Sequence, residues 1–143
     1  MSISYQHAIK AIDASIEKAT ALGVAVSLAV VDINGYLVAF ARLDRNGDMI
    51  DFAVKKAKTA LLFEEVDDRL EIMAVRTSNY GQRMFGFTKN MLAIGGTAPI
   101  KDLQGRVIGV IASSGGSPDQ DMDIVGAGAR AVFECGQKCG HEH

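Results

Sequence analysis

The stretch "IGGTAPIKDLQGRVIGVIASSGGSPDQD", residues 94–121, sets one Gly-Gly pair before an extended run and a second pair after it. Between the pairs, "APIKD" and "RVIGVIAS" read as strands on either side of a Gln104-Gly105 turn. Glycine at both ends has two readings. Gly95-Gly96 and Gly115-Gly116 can end the strands and supply turns, because glycine reaches backbone angles that other residues avoid. They can also let a ligand, or another backbone, come close at the strand ends. Neither pair belongs to a G-x-G-x-x-G or G-x-x-x-x-G-K-[ST] pattern, so nucleotide binding is not inferred.

Working outward, Pro118 suits a first helical turn, and Asp119, Asp121 and Asp123 suit the positive end of a helix dipole, which predicts a last helix running through Gln137. That helix is apolar or small around most of its circumference, from Met122, Ile124 and Val125 to Val132 and Phe133, so either it packs centrally or neighbouring subunits bury it. At the other end of the chain, Tyr5, Ile9, Ile12, Ile16 and Ala19 recur at helical spacing between Ser4, an N-cap residue type, and Gly23, a C-terminal stop. Val24 to Val31 then alternates with both faces apolar or small, the pattern of a strand covered on both sides. Asn34-Gly35 predicts a tight hairpin turn with two positive φ angles, and Tyr36 to Leu43 predicts an antiparallel partner strand. The next helix carries one stripe of Ile50, Ala53, Val54, Ala57, Ala60 and Leu61, and a second stripe of Phe52, Lys56, Thr59 and Phe63 on another face. Residues 66–75 suggest a short helix, 76–90 an irregular loop, and "MLAIGG" a further strand.

With 143 residues and 15.2 kDa the chain fits one domain, 1–143, able to bury roughly 70% of its unfolded surface. A composition 48% hydrophobic and 22% charged is that of an ordered globular protein, and a net charge of −2 with interspersed signs lacks the footprint of a nucleic-acid or anionic-membrane binder. The N-terminus lacks a signal-peptide core and no apolar run is long enough to span a bilayer, so the expected location is cytoplasmic. Cys135 and Cys139, at i and i+4 on one helix, sit off disulfide geometry and are expected to be reduced.

Four motifs in order carry a resemblance: the hairpin "AVVDINGYLVAFARLD", the helix stretch "KAKTA" (Lys56 to Ala60), "GGTAPI" (Gly95 to Ile100) and "GRVIGVIASSGGSPDQD" (Gly105 to Asp121). Over about residues 3 to 135 the chain resembles the GlcG/HbpS family, which includes the C-terminal domain of PduO-type proteins. The resemblance implies an α/β (α+β) profilin-like fold, a five-stranded antiparallel sheet with helices on both faces, and assembly as a homo-oligomer. It also implies haem or a corrinoid-related cofactor as ligand in some relatives, and a place beside glycolate, glycerol or diol metabolism. Where relatives read "GAIGVSGG", this chain has "GVIASSGG", with Ala112 and Ser113 departing.

Asp32, Arg42 and Asp44 flank the first hairpin and Lys56 follows on the next helix. With Gly95, Gly96, Gly115, Gly116 and Asp121 they are the candidate ligand-binding set, with Arg42 or Lys56 expected to pair with ligand carboxylates. The alternative for each is structural: Asp32 a turn residue, Arg42 with Asp44 a surface ion pair, Lys56 solvated. No catalytic residue is assigned. His7 falls in the first turn of the first helix, no Ser-His-Asp or Cys-His set can be named, and "ASSGGS" lacks the G-x-S-x-G elbow. In the tail "CGQKCGHEH", Cys135, Cys139, His141 and His143 are weak metal candidates, of the right ligand types for Zn²⁺ or haem iron but at unusual spacing. Tyr80, Arg83, Phe85 and Phe87 interleave aromatic and basic groups, better suited here to packing or pocket lining than to a single strand of nucleic acid. The sequence therefore points to a non-catalytic, homo-oligomeric binder of a small ligand or cofactor. Its rivals are an enzyme acting on a small hydroxy or keto acid and a purely structural partner of a metabolic complex.

Overall fold

The computed structural model describes residues 2–45, 47–64 and 96–139. The predicted first helix is α1 (Tyr5–Leu22): the Ser4 hydroxyl accepts from the His7 amide, and Gly23, at φ 73°, turns the chain out of it in the left-handed conformation. Strands β1 (Ser27–Asp32) and β2 (Leu37–Arg42) pair antiparallel, followed by α2 (Ile50–Glu64), β3 (Thr97–Lys101), β4 (Val107–Ser114) and α3 (Pro118–Cys139). The predicted segment at 66–75, the loop at 76–90 with Tyr80, Arg83, Phe85 and Phe87, and the first residues of "MLAIGG" lie outside the described residues.

Among the described residues the antiparallel sheet has four strands in the order β2-β1-β4-β3, not the five expected. "MLAIGG", the stretch read as an additional strand, is the one that falls at the boundary of the description, where only Gly96 is placed. The coarser expectation holds. All of Ser27 to Val31 is buried, and the reason is that each face of the sheet has its own helical cover. Leu28, Val30, Ala98, Ile100 and Ile111 pack with Ile12 of α1 and Ile124, Val125 and Val132 of α3. On the opposite face Val31, Val110 and Ala112 pack against Ala57, Ala60 and Leu61 of α2. Of the second α2 stripe, Lys56 and Thr59 are buried while Phe52 is exposed, so the helix turns its polar positions inward at that point.

The hairpin turns differ from the two-residue form expected at Asn34-Gly35. No described residue other than glycine has a positive φ, so Asn34 does not adopt the left-handed angle; Gly35 alone does, at 84°. Asp32 organises the turn instead. Its carboxylate Oδ1 accepts from the amides of Asn34 (2.9 Å) and Tyr36 (3.0 Å), while the Gly35 amide donates to the Asp32 carbonyl. The β3–β4 hairpin repeats the device: Asp102 Oδ1 accepts from the amides of Gln104 and Arg106, both at 3.0 Å, and Gly105 has φ 81°. The strands joined by each D-x-x-G turn carry a register shift, between Val30 and Val31 and between Ile100 and Lys101, where the second strand holds one extra residue, Val38 and Ile108. Burial opposes the charge on Asp102, but the Arg106 amide, its guanidinium at 2.8 Å and the Gln104 amide outweigh that cost and hold the carboxyl below its ordinary value.

Helix α3 begins with a reciprocal capping box: Ser117 Oγ accepts from the Gln120 amide (3.2 Å) and Gln120 Oε1 accepts from the Ser117 amide (2.9 Å). It crosses α1 at Gly128, where an added Cβ meets Ser15 Oγ and, at 2.7 Å, the Ala11 carbonyl; Ser15 in turn donates to the Ile124 carbonyl at 2.8 Å. No described helix is long and apolar enough to cross a membrane. Gly128→Ala is expected to destabilise the fold by about 1–3 kcal/mol, because neither backbone can yield there without losing the Ser15 bond. Urea unfolding monitored by circular dichroism checks this, with Gly126→Ala as a control, since the nearest atoms there belong to the flexible Arg130 side chain.

Candidate ligand site

Five of the candidate residues, Lys56, Gly96, Gly115, Gly116 and Asp121, meet at one end of the sheet, where β4 leaves at Ser114 and β3 enters at Thr97. Lys56 reaches across from α2 and donates to the Ser113 carbonyl at 3.0 Å, and its ammonium lies 3.8 Å from Asp121 Oδ2. Asp121, in the first turns of α3, accepts from Ser113 Oγ at 2.8 Å and from the Gly116 amide at 3.3 Å. Lys56 is 5% exposed and Asp121 2% exposed, so this ion pair is internal. Burial is the largest influence on Asp121 and pushes its carboxyl above the ordinary value; the Ser113 hydroxyl, the Lys56 charge and the Gly116 amide pull the other way without cancelling it.

The glycine question is answered here. Gly96 has φ 106°, and a Cβ at that position falls 2.9 Å from both the Ser113 carbonyl oxygen and Asp121 Cβ, and 3.2 Å from Lys56 Nζ. Its own carbonyl accepts from the Ser113 amide at 2.9 Å. Gly115, at φ 130°, comes as close to the Ala25 carbonyl, at 2.9 Å. Gly96 thus permits close approach beside the buried ion pair, and Gly115 close approach to the Ala25–Val26 backbone, in addition to ending strands. Gly116 donates its amide to Asp121, and Gly95 lies outside the described residues.

The remaining candidates separate. Asp32 is the hairpin residue described above, at the far end of β1 from Ser27, five residue steps or roughly 16 Å away. Asp44 does lie at the glycine-rich end, but its carboxylate accepts from Ser27 Oγ (2.8 Å) and the Gly47 amide (2.6 Å), and Arg42 is exposed at the end of β2. Lys56, expected to be solvated or to meet a ligand carboxylate, has an internal carboxylate beside it instead. Sequence reasoning missed Ser113, Ser114 and Thr97. Ser113 was visible as a departure from the resembled pattern, and it is that departing hydroxyl which donates to Asp121.

A second concavity lies on the helical side. A groove of about 580 Å³ runs between α1 and α3, with Ile9, Ala14 and Ala131 as apolar wall, Lys10 and Asp13 at its sides and Cys135 toward the end of α3. Cys135 is partly exposed and forms no disulfide. The other weak metal candidates, the Cys139 side chain, His141 and His143, lie outside the described side chains. Among the described residues, no group of three or more His, Cys, Asp or Glu side chains gathers to hold a metal ion. The His7 ring nitrogen Nδ1 lies 2.8 Å from Ser4 Oγ, at the helix cap.

A family model described as "Haem degrading protein HbpS-like" matches residues 3–130. The chain belongs to the HbpS-like family. Solved structures agree. PduOC in complex with haem is 27% identical with a TM-score of 0.76, covering 92% of this chain and 95% of that one. The Klebsiella pneumoniae protein ORFY is 26% identical, TM-score 0.76, covering 91% and 90%. A double mutant of Streptomyces reticuli HbpS is 26% identical, TM-score 0.76, covering 91% and 86%. No curated protein matches the chain by sequence. The HbpS-like match covers every described strand and the glycine-rich end of the sheet, and stops short of Ala131, Glu134 and Cys135 on the α3 side of the groove.

The buried pair has a measurable signature. The folded-state value of Asp121 lies above the ordinary 3.8, so the folded protein binds the proton more tightly and stability falls as pH rises through the window above 3.8. Lys56 limits that fall. Lys56→Met is expected to cost about 3–5 kcal/mol at pH 7 and clearly less as pH falls toward 4, because the raised Asp121 carboxyl then takes up a proton more readily than an ordinary one. The double variant Lys56→Met/Asp121→Asn is expected to recover most of the loss. Urea midpoints of the wild type and both variants across pH 4–7 check the sign.

Proposed function

We propose that this protein is a homo-oligomeric, non-catalytic accessory protein of one domain, residues 1–143, that binds haem or a corrinoid-related cofactor. The observation that carries the reading is the match to the HbpS-like family over residues 3–130, together with the likeness to PduOC, whose structure holds haem. The resemblance to the GlcG/HbpS family carries the further proposal of a place beside glycolate, glycerol or diol metabolism.

The α1–α3 groove fits a haem in kind. Ile9, Ala14 and Ala131 offer an apolar wall, Cys135 offers a sulfur of the type that ligates haem iron, and Lys10 offers a cation for a propionate. Asp13, Glu17 and Glu134 line the same groove and repel carboxylates, so the propionates are directed toward Lys10. Haem, when bound, supplies an iron centre whose chemistry depends on its axial ligands. Cys135 would hold the iron and Lys10 would orient the porphyrin. The glycine-rich end of the sheet suits a fixed polar anchor better than a haem slot, because its one buried cation has Asp121 beside it.

The family description, haem degrading, favours one rival, an enzyme that consumes the haem it binds. An absorbance titration with hemin separates the readings. A saturable Soret shift, weakened at least tenfold in Cys135→Ala and stable with added reductant or peroxide, is the expected result. Bleaching of the band under those conditions would favour the enzyme, and the absence of a saturable shift would remove haem from the account. Light scattering of the same preparation is expected to report a mass several times 15.2 kDa.

A further inference from the structure

The sheet face under α2 is apolar over most of its length, where Val31, Val110 and Ala112 meet Ala57, Ala60 and Leu61. At the glycine-rich end that changes. Continuing the alternation of each strand, the same face presents Ser27 on β1, Ser114 on β4 and Thr97 on β3. The register sets Ser27 opposite Ser114, and Thr97 opposite Ala112, which leaves Thr97 diagonal to Ser114. Three hydroxyls therefore form a row across three strands.

Only one of the three has a hydrogen-bond partner accounted for. Ser27 Oγ donates to Asp44 Oδ2 at 2.8 Å. Thr97 and Ser114 are each 2% exposed, and among the described residues neither Thr97 Oγ1 nor Ser114 Oγ has a hydrogen-bond partner. A hydroxyl shut away from solvent and left unbonded forfeits its hydration with nothing in exchange, which native proteins rarely accept twice side by side.

We propose that one internal water bridges Thr97 Oγ1 and Ser114 Oγ. The dimensions suit a single water. Diagonal cross-strand neighbours have Cα atoms about 7–8 Å apart, with their Cβ atoms somewhat closer. A hydroxyl–water–hydroxyl bridge with legs of about 2.8 Å spans about 4.5–5.5 Å. Ser27 Oγ donates its hydrogen bond to Asp44 and is served by that partner. A buried water makes two to four hydrogen bonds, and the two unpartnered hydroxyls supply two of them. A charged occupant is disfavoured, because the nearby Lys56 and Asp121 already oppose each other's charge and Asp44 already takes a proton from the row. An organic ligand is disfavoured because both hydroxyl oxygens are closed to solvent. The buried face of α2 above this end of the sheet is built of small side chains, Ala53, Ala57 and Ala60. The water ties the start of β3 to the end of β4, beside the Lys56–Asp121 pair.

Thr97→Val and Ser114→Ala test this, because they remove a hydroxyl while nearly keeping or reducing volume. If the water is there, each single variant takes one partner from it and leaves the other hydroxyl worse satisfied. The unfolding equilibrium constant from urea titration should then rise roughly fivefold for each, and the double variant should fall short of the product of the two. A crystal structure of the unmodified protein should show density between the two oxygens, within hydrogen-bond distance of both. Thr97→Val unchanged or more stable than the wild type, or continuous apolar contact with no density at that point, would overturn the proposal.

Discussion

The structure turns on one buried contact, the reach of Lys56 from α2 past the end of β4 to the Ser113 carbonyl and the Asp121 carboxylate. The two helical layers lie on opposite faces of the sheet and meet only where the sheet stops. Lys56 belongs to one layer and Asp121 to the other, so the pair stitches them together around the strand end. Everything local follows from making room for it. Gly96 is held at a left-handed angle because a side chain there would strike the Ser113 carbonyl and Asp121, and Ser113 turns its hydroxyl onto the carboxylate at 2.8 Å. An ion pair in this setting adds little net stability over an apolar substitute, since both charges lose their water. Its value lies in specificity: only one placement of α2 against α3 satisfies it.

Much of the fold was legible because its signals are periodic. The helices at the two ends of the chain and the two-sided β1 follow from spacing alone, and Ser4, Gly23 and Pro118 mark helix ends where the residue types predict them. The hairpin turns were misread for a physical reason. Asn-Gly is a strong signal for two positive angles, but an aspartate two residues earlier offers a side-chain acceptor to two amides, and that arrangement asks only Gly35 to be left-handed. Asp102 shows the same pattern at Asp102-Leu103-Gln104-Gly105, which makes D-x-x-G, in hindsight, the signal to read.

The candidate site was legible in composition and not in arrangement. Glycines, Lys56 and Asp121 do gather, but sequence cannot distinguish a cation awaiting a ligand from one already facing its own carboxylate. The distinction depends on how far α2 sits from the strand end, a tertiary distance. Asp32 was drawn in by its closeness to the hairpin and is removed by the length of a single strand. The groove between α1 and α3 had no sequence signal beyond the cysteine spacing in the tail, because it is made by two helices over a hundred residues apart in the chain. The sheet end is thus closed around its own ion pair, while the groove between α1 and α3 stays open.

The most direct test of the central contact is native-state hydrogen exchange in low denaturant. If Lys56 and Asp121 join the two layers, the amides of α2 around Lys56, of β4 from Val110 to Ala112 and of α3 from Val125 to Gly128 open as one unit, with a common free energy and denaturant dependence. An α2 that exchanges through its own separate opening, well below the free energy of β4 and α3, would contradict the account.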